Sequence, residues 1–132
     1  NYINDHRIPL EICISSNVQT KACDSLDTHP VRFYYDYGLR IAICTDNRLV
    51  TGTSVTDELM LLVDRFNFTL DDLRTVTLHG YKAAFLPFRK KRSVLAKALA
   101  EWDKIIDDSN HADKEDKKSE NVAEKAAREA TA

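Results

Sequence analysis

Asp46 and Asn47 are the residues of this chain best placed to do chemistry. They follow an apolar run, Arg40-Ile41-Ala42-Ile43-Cys44, and sit in the polar cluster Thr45-Asp46-Asn47 that closes it. A carboxylate and an amide therefore stand side by side where a buried strand is expected to end. The carboxyl edge of such a strand is where α/β folds place their chemistry, and both side chains are polar enough to take part. A second cluster, Ser15-Ser16-Asn17, closes a similar run, Leu10-Glu11-Ile12-Cys13-Ile14, which follows Pro9. The bland alternatives are a turn or helix cap for Asp46, an Asx-turn for Asn47, and backbone satisfaction for the serines and Asn17.

Both runs have the signature of short strands buried on both faces. Between them Pro30 suits the first position of a helix, because its missing N–H has no intrahelical partner there. The expected helix covers Val31 to Tyr37 and ends at Gly38. Strand, helix and strand with so long a connection is a parallel crossover unit, and its carboxyl edge is where α/β folds place their chemistry. Phe33, Tyr34, Tyr35 and Tyr37 are expected to pack that helix on the sheet. His29, just before Pro30, reads as a helix-entry residue.

Beyond the second strand the pattern turns helical. Ser54 with Asp57, and Thr69 with Asp72, have capping-box spacing with an acid in place of Glu or Gln, and announce helices over Glu58 to Phe66 and Leu73 to Leu86. Pro87 breaks or restarts the helix. Ser93 to Ile106 then carries Val94, Leu95, Ala98, Leu99, Trp102, Ile105 and Ile106 on one face. Two buried parallel strands make an incomplete sheet, since all-parallel sheets are larger and sheathed by helices. The chain reads as the last part of a larger α/β fold.

Composition sets the outer bounds. The 132 residues are 43% hydrophobic and 30% charged with a net charge of −2, values of an ordinary globular domain. That charge argues against bulk nucleic-acid binding, and Arg89-Lys90-Lys91-Arg92 has no interleaved aromatics, so it reads as a solvated helix face. No apolar run approaches the ~20 residues that cross a bilayer, and the first ten residues lack a signal-peptide pattern. No nucleic acid and no membrane partner are expected. Cys13, Cys23 and Cys44 are odd in number and form no CxxC pair, which argues against a disulfide framework or a zinc knuckle and suits a reducing, cytoplasmic setting. From Asp107 to Ala132 there are eight acids, five bases and one large apolar residue, Val122. The chain therefore divides into a segment over 1–106 and a charged tail over 107–132, expected to be disordered or loosely helical.

Taken together, Ile12-Cys13-Ile14-Ser15-Ser16-Asn17-Val18-Gln19-Thr20-Lys21, His29-Pro30, Gly38 to Asn47 and Thr56-Asp57-Glu58 resemble the C-terminal third of the adenosine deaminase family. These are zinc-dependent (β/α)8 TIM barrels of the amidohydrolase type, and the resemblance runs from about Ile8 to Ile106. It implies that Leu10 to Ile14 is the seventh barrel strand and Arg40 to Cys44 the eighth. Its most specific part is Ala42-Ile43-Cys44-Thr45-Asp46-Asn47-Arg48, similar to the family's Thr-Asp-Asp-Pro signature. By that resemblance Asp46 is a zinc ligand and catalytic residue that contacts the attacking water, and the position of Asn47 contacts the purine. Asn47 and Arg48 depart from the family's acid and proline, and the Asp-Asn-Arg form resembles bacterial-type members. The family's acid is thought to reach purine N7, an acceptor, and must be protonated to do so; an amide NH2 donates without that proton.

The implied reaction is hydrolytic deamination of a purine nucleoside, adenosine to inosine and ammonia, by a water whose pKa Zn2+ lowers from ~15.7 toward ~7. The family's His-x-His pair, later zinc histidine, catalytic histidine and glutamate have no counterpart here. His6, His29, His79 and His111 have neither the spacing nor the strand-end placement. An N-terminal barrel segment is thus the expected partner that completes the site, and the isolated chain is expected to be inactive. The alternatives are a deaminase of adenine, AMP or a modified adenosine, or a non-catalytic helical binding module derived from the barrel.

Overall fold

The computed structural model describes residues 1–130, with side chains through His111 and that of Lys114. A compact unit over Asn1–Leu95 holds the sheet, and a second begins at Ala96. The first unit opens with α1 (Tyr2–Asp5), then β1 (Leu10–Ile12), α2 (Ile14–Gln19), α3 (Val31–Asp36) and β2 (Ile41–Ile43). There follow α4 (Arg48–Thr51), α5 (Val55–Phe66), α6 (Leu70–Ala83) and α7 (Phe88–Ala130).

The expected parallel pair forms, with Leu10 opposite Ile41, Glu11 opposite Ala42 and Ile12 opposite Ile43. Its strands are shorter than the apolar runs suggest. Cys13 and Ile14 leave β1, and Ile14 opens α2 instead of continuing the strand. An apolar run that short fits a strand or a buried helical turn equally well, and here Ile14 is fully buried as the first residue of the helix. Ser15, Ser16 and Asn17 are consequently helical. Pro30 stands one position ahead of its expected place, capping α3, and Gly38 leaves that helix at φ +80°. Of the four aromatics assigned to sheet packing, Tyr34 and Tyr35 lie against the core. Phe33 and Tyr37 are exposed, so the helix turns one side to solvent.

The core gathers Ile12, Ile14, Val31, Ile41, Leu62, Phe66 and Val76 from both strands, α2, α3, α5 and α6, with Phe68 from the turn between α5 and α6. Both capping boxes are complete. Ser54 and Asp57 start α5, and Thr69 and Asp72 start α6, each side chain bonding the other's backbone N–H. The boxes set the helix starts three residues earlier than the apolar pattern alone suggests. Pro87 separates α6 from α7, whose stripe of Val94, Leu95, Ala98, Leu99, Trp102 and Ile106 is half-buried while Ile105 is exposed. Lys91 donates to the Lys82 carbonyl at the end of α6, and Arg92 lies over the Phe88 ring, so two of the four basic residues have local partners. The boundary expected after Ile106 falls inside α7, and most side chains of 107–132 lie outside the described residues. Among the described residues no helix is long and apolar enough to cross a membrane.

Candidate active site

The carboxyl ends of β1 and β2 lie side by side, and the Cys44 N–H still donates to the Ile12 carbonyl at 2.9 Å. Beyond Cys44 the chain turns sharply. Asp46 has φ +54°, the left-handed region that short polar side chains tolerate better than most. That turn presents the exposed Asp46 carboxylate above the strand ends and lets Asn47 begin α4. Asn47 Oδ1 accepts from the Leu49 and Val50 N–H groups, each at 3.2 Å. Its oxygen is committed to the cap, and its NH2 remains as a donor.

Ser16, on α2, donates its hydroxyl proton to Asp46 Oδ2 at 2.8 Å and is itself buried. This charge-assisted bond holds one carboxylate oxygen and leaves Oδ1 for another partner. Behind Ser16, fully buried Glu58 of α5 accepts from the Ser15 N–H at 3.2 Å and from the Thr53 hydroxyl at 3.0 Å. Next to them lies a second polar pair. His29 Nδ1 accepts from the Val31 N–H at 3.2 Å, and Asn17 Nδ2 lies 3.0 Å from Nε2 on the other side of the ring. Burial holds the His29 pKa below 6.5, against a smaller pull from Glu58, and keeps the ring neutral. The ring also meets Phe66 edge-on at 6.0 Å. His29 therefore orders the entry to α3.

The two strand-end thiols are inert. Burial first, then the nearby Asp46 carboxylate, raises the Cys13 pKa, and burial pushes Cys44 up to about 11. Thiols protonated at neutral pH are poor nucleophiles and poor ligands.

The donor set fits a metal ion in part. Asp46 offers an exposed carboxylate oxygen suited to zinc, but among the described residues no three His, Cys, Asp or Glu side chains gather as a metal cluster. His6 stacks on Tyr2, His79 is on α6, and His111 is on α7. Catalytic zinc needs about three protein ligands, and among the described residues Asp46 is the one placed at the strand ends to serve.

Asp46 and Asn47 lie just beyond the carboxyl end of β2. Ser16 lies in the polar cluster that the sequence marks at the first strand's end, but its bond to Asp46 and the part played by Glu58 have no local signature, since the partners are 30 and 43 positions away. Glu58 did leave a signal. It shares the buried stripe of α5 with Leu62 and Phe66 at four-residue spacing, and an acid on such a stripe needs a polar partner.

Known proteins resemble this arrangement. A sequence model of the family described as adenosine deaminase matches residues 1–102. "Adenosine deaminase 1" of Streptomyces coelicolor is 41% identical over 95 residues, covering 72% of this chain and 24% of that protein. The chain thus spans about a quarter of the length of the curated relatives it matches. Among solved structures, an adenine deaminase from Arthrobacter aurescens aligns with a TM-score of 0.71 at 27% identity, covering 78% of this chain and 31% of that one. The N6-methyl-AMP deaminase of Arabidopsis thaliana aligns with a TM-score of 0.66 at 26% identity, over 77% of this chain and 29% of its own. The parallel pair with its crossover helix is accordingly a part of such a (β/α)8 barrel.

Proposed function

The chain belongs to the adenosine deaminase family, and from that membership we propose that it forms the C-terminal part of a zinc-dependent aminohydrolase that turns adenosine and water into inosine and ammonia. The observation that carries this reading is the Asp46 carboxylate at the carboxyl end of β2, with Oδ2 fixed by Ser16 at 2.8 Å and Oδ1 open. What a bound zinc ion supplies is a water acidic enough to attack at neutral pH. Asp46 would hold such an ion with its open carboxylate oxygen, and the same carboxylate could accept a hydrogen bond from the attacking water. Asn47 donates from its NH2 to purine N7, an arrangement supported by the engagement of its oxygen in the α4 cap.

The remaining zinc ligands, and the acid that protonates the ring, would come from a barrel segment outside this chain, which is the partner the site requires. The relatives named as adenine and N6-methyl-AMP deaminases support a second reading within the same chemistry, an adenine or adenylate substrate. Neither reading involves a nucleic-acid or membrane partner. The three free cysteines suit a cytoplasmic setting.

The test is zinc content together with adenosine turnover, followed by ultraviolet absorbance, on the intact natural protein that contains these residues. About one zinc per site and conversion to inosine are expected, with Asp46→Ala losing at least ~10³-fold in kcat/KM, in line with removal of a group that acts in the transition state. An intact protein free of zinc and inactive on adenosine, adenine and AMP would sink the proposal.

A further inference from the structure

We propose that Glu58 is a positioning residue for this site: its buried carboxylate fixes the start of α2 and, through Ser16, the orientation of the Asp46 carboxylate. The inference rests on the reading of Asp46 as a zinc ligand.

Three observations carry it. The first is that α2 has no cap of its own. Its N-cap position is Cys13, which makes no side-chain capping bond, so the N–H groups of the first turn need an acceptor from elsewhere. The second is that Glu58 provides it from α5, accepting the Ser15 N–H on Oε2 while the Thr53 hydroxyl holds Oε1. The third is adjacency. The residue after Ser15 is Ser16, and its hydroxyl bonds Asp46. Glu58, Ser15, Ser16 and Asp46 therefore form one chain of contacts running from the core to the site.

The chemistry of burial points the same way. Glu58 is 0% exposed and stands on a helix stripe with Leu62 and Phe66, where an apolar side chain would pack without desolvating a charge. Its two carboxylate oxygens reach two different segments, the start of α2 and Thr53 just before α5. An apolar residue would take this acceptor from the part-buried Ser15 N–H, and leave α2 free to shift against the turn at Asp46. Outer contacts of this kind orient metal ligands and typically change metal affinity by ~10–100-fold when lost.

Charge and reach can be separated. In the intact natural protein, Glu58→Asp keeps the charge but draws the carboxylate back from Ser15, whereas Glu58→Gln loses the charge but keeps an oxygen at the same reach. The amide NH2 of Gln can in turn donate to the Thr53 hydroxyl. Zinc affinity, measured by competition with a chromophoric chelator, is expected to weaken ~10–100-fold in Glu58→Asp and to stay within about threefold of the parent in Glu58→Gln. Ser16→Ala should weaken binding to a similar degree. The double variant Ser16→Ala/Glu58→Asp should be no weaker than Ser16→Ala alone, because the two residues act in series. A Glu58→Gln protein that binds zinc as poorly as Glu58→Asp, or effects of Ser16→Ala and Glu58→Asp that multiply, would overturn the inference. Asp46→Ala separates this failure from that of the parent reading. If it leaves zinc affinity unchanged, Asp46 is not the ligand; if it abolishes binding while Glu58→Asp leaves the affinity at the parent's value, the ligand assignment stands and the positioning role falls.

Discussion

Asn47 has two tasks that a single atom could not combine. Its oxygen accepts two backbone N–H groups of α4, and its NH2 is the donor proposed for purine N7. Replacement by Asp separates them, since a carboxylate caps as well as an amide but has no donor when ionised. Asn47→Asp is therefore expected to unfold within a few tenths of a kcal/mol of the parent, yet to bind adenosine analogues about tenfold more weakly, the loss of one ordinary hydrogen bond. A 7-deaza analogue lacks the N7 acceptor and should bind parent and variant alike. Equal weakening for both ligands would place the Asn47 effect elsewhere. Asp46 and Asn47 could be read from the sequence because the signature around them is contiguous. The contacts of Ser16 and Glu58 could not, because they depend on segments brought together only by the crossover and α5.

Elements announced by backbone-capping chemistry were the most readable. The Ser54–Asp57 and Thr69–Asp72 pairs place α5 and α6 from four residues each. By contrast α2 has no capping side chain and begins within an apolar run, so nothing local separates it from the end of β1. The short α1 and α4 are four residues each, too brief for any periodicity to mark them. Asp72 also reaches beyond its own box. It accepts the Tyr35 hydroxyl at 2.7 Å and an Arg32 N–H at 3.4 Å, tying α3 to α6. Burial alone would raise its pKa, but the Thr69 backbone N–H, the Tyr35 and Thr69 hydroxyls and the Arg32 charge outweigh it and hold the value below 3.8. A depressed carboxylate stabilises the fold in full above its unfolded pKa and loses that contribution as pH falls through the folded value. Asp72→Asn should accordingly cost ~1 kcal/mol at pH 7. Below pH 3.8 the difference should shrink as the parent's carboxylate takes up its proton. Chemical unfolding of parent and variant across that range gives the measurement, and a gap that persisted at the acid end would remove Asp72 as its cause.

The unit that holds the site has a core but not a closed sheet. Among the described residues β1 and β2 pair only with each other, so each has an outer edge without a strand partner. Parallel strands as apolar as Leu10–Ile12 and Ile41–Ile43 belong to sheets covered on both faces, and unpaired edges of this kind recruit other chains. Large apolar side chains lie open nearby in sequence and on the same unit. Leu49 is 96% exposed, its neighbour Val50 78% and Phe85 103%. The capped helices and the core of eight buried side chains nonetheless give this unit local stability, so association rather than complete unfolding is the expected failure. The 132-residue chain by itself should sediment with a concentration-dependent increase in size and melt over a broad range. Adding the remaining barrel segment in trans should narrow the melt and suppress association, because the strand edges and open side chains would then be covered. A chain that stays monomeric at all concentrations and unfolds in one sharp transition would mean that two strands with this helical cover suffice. The outer edges would then have to be protected within the chain itself.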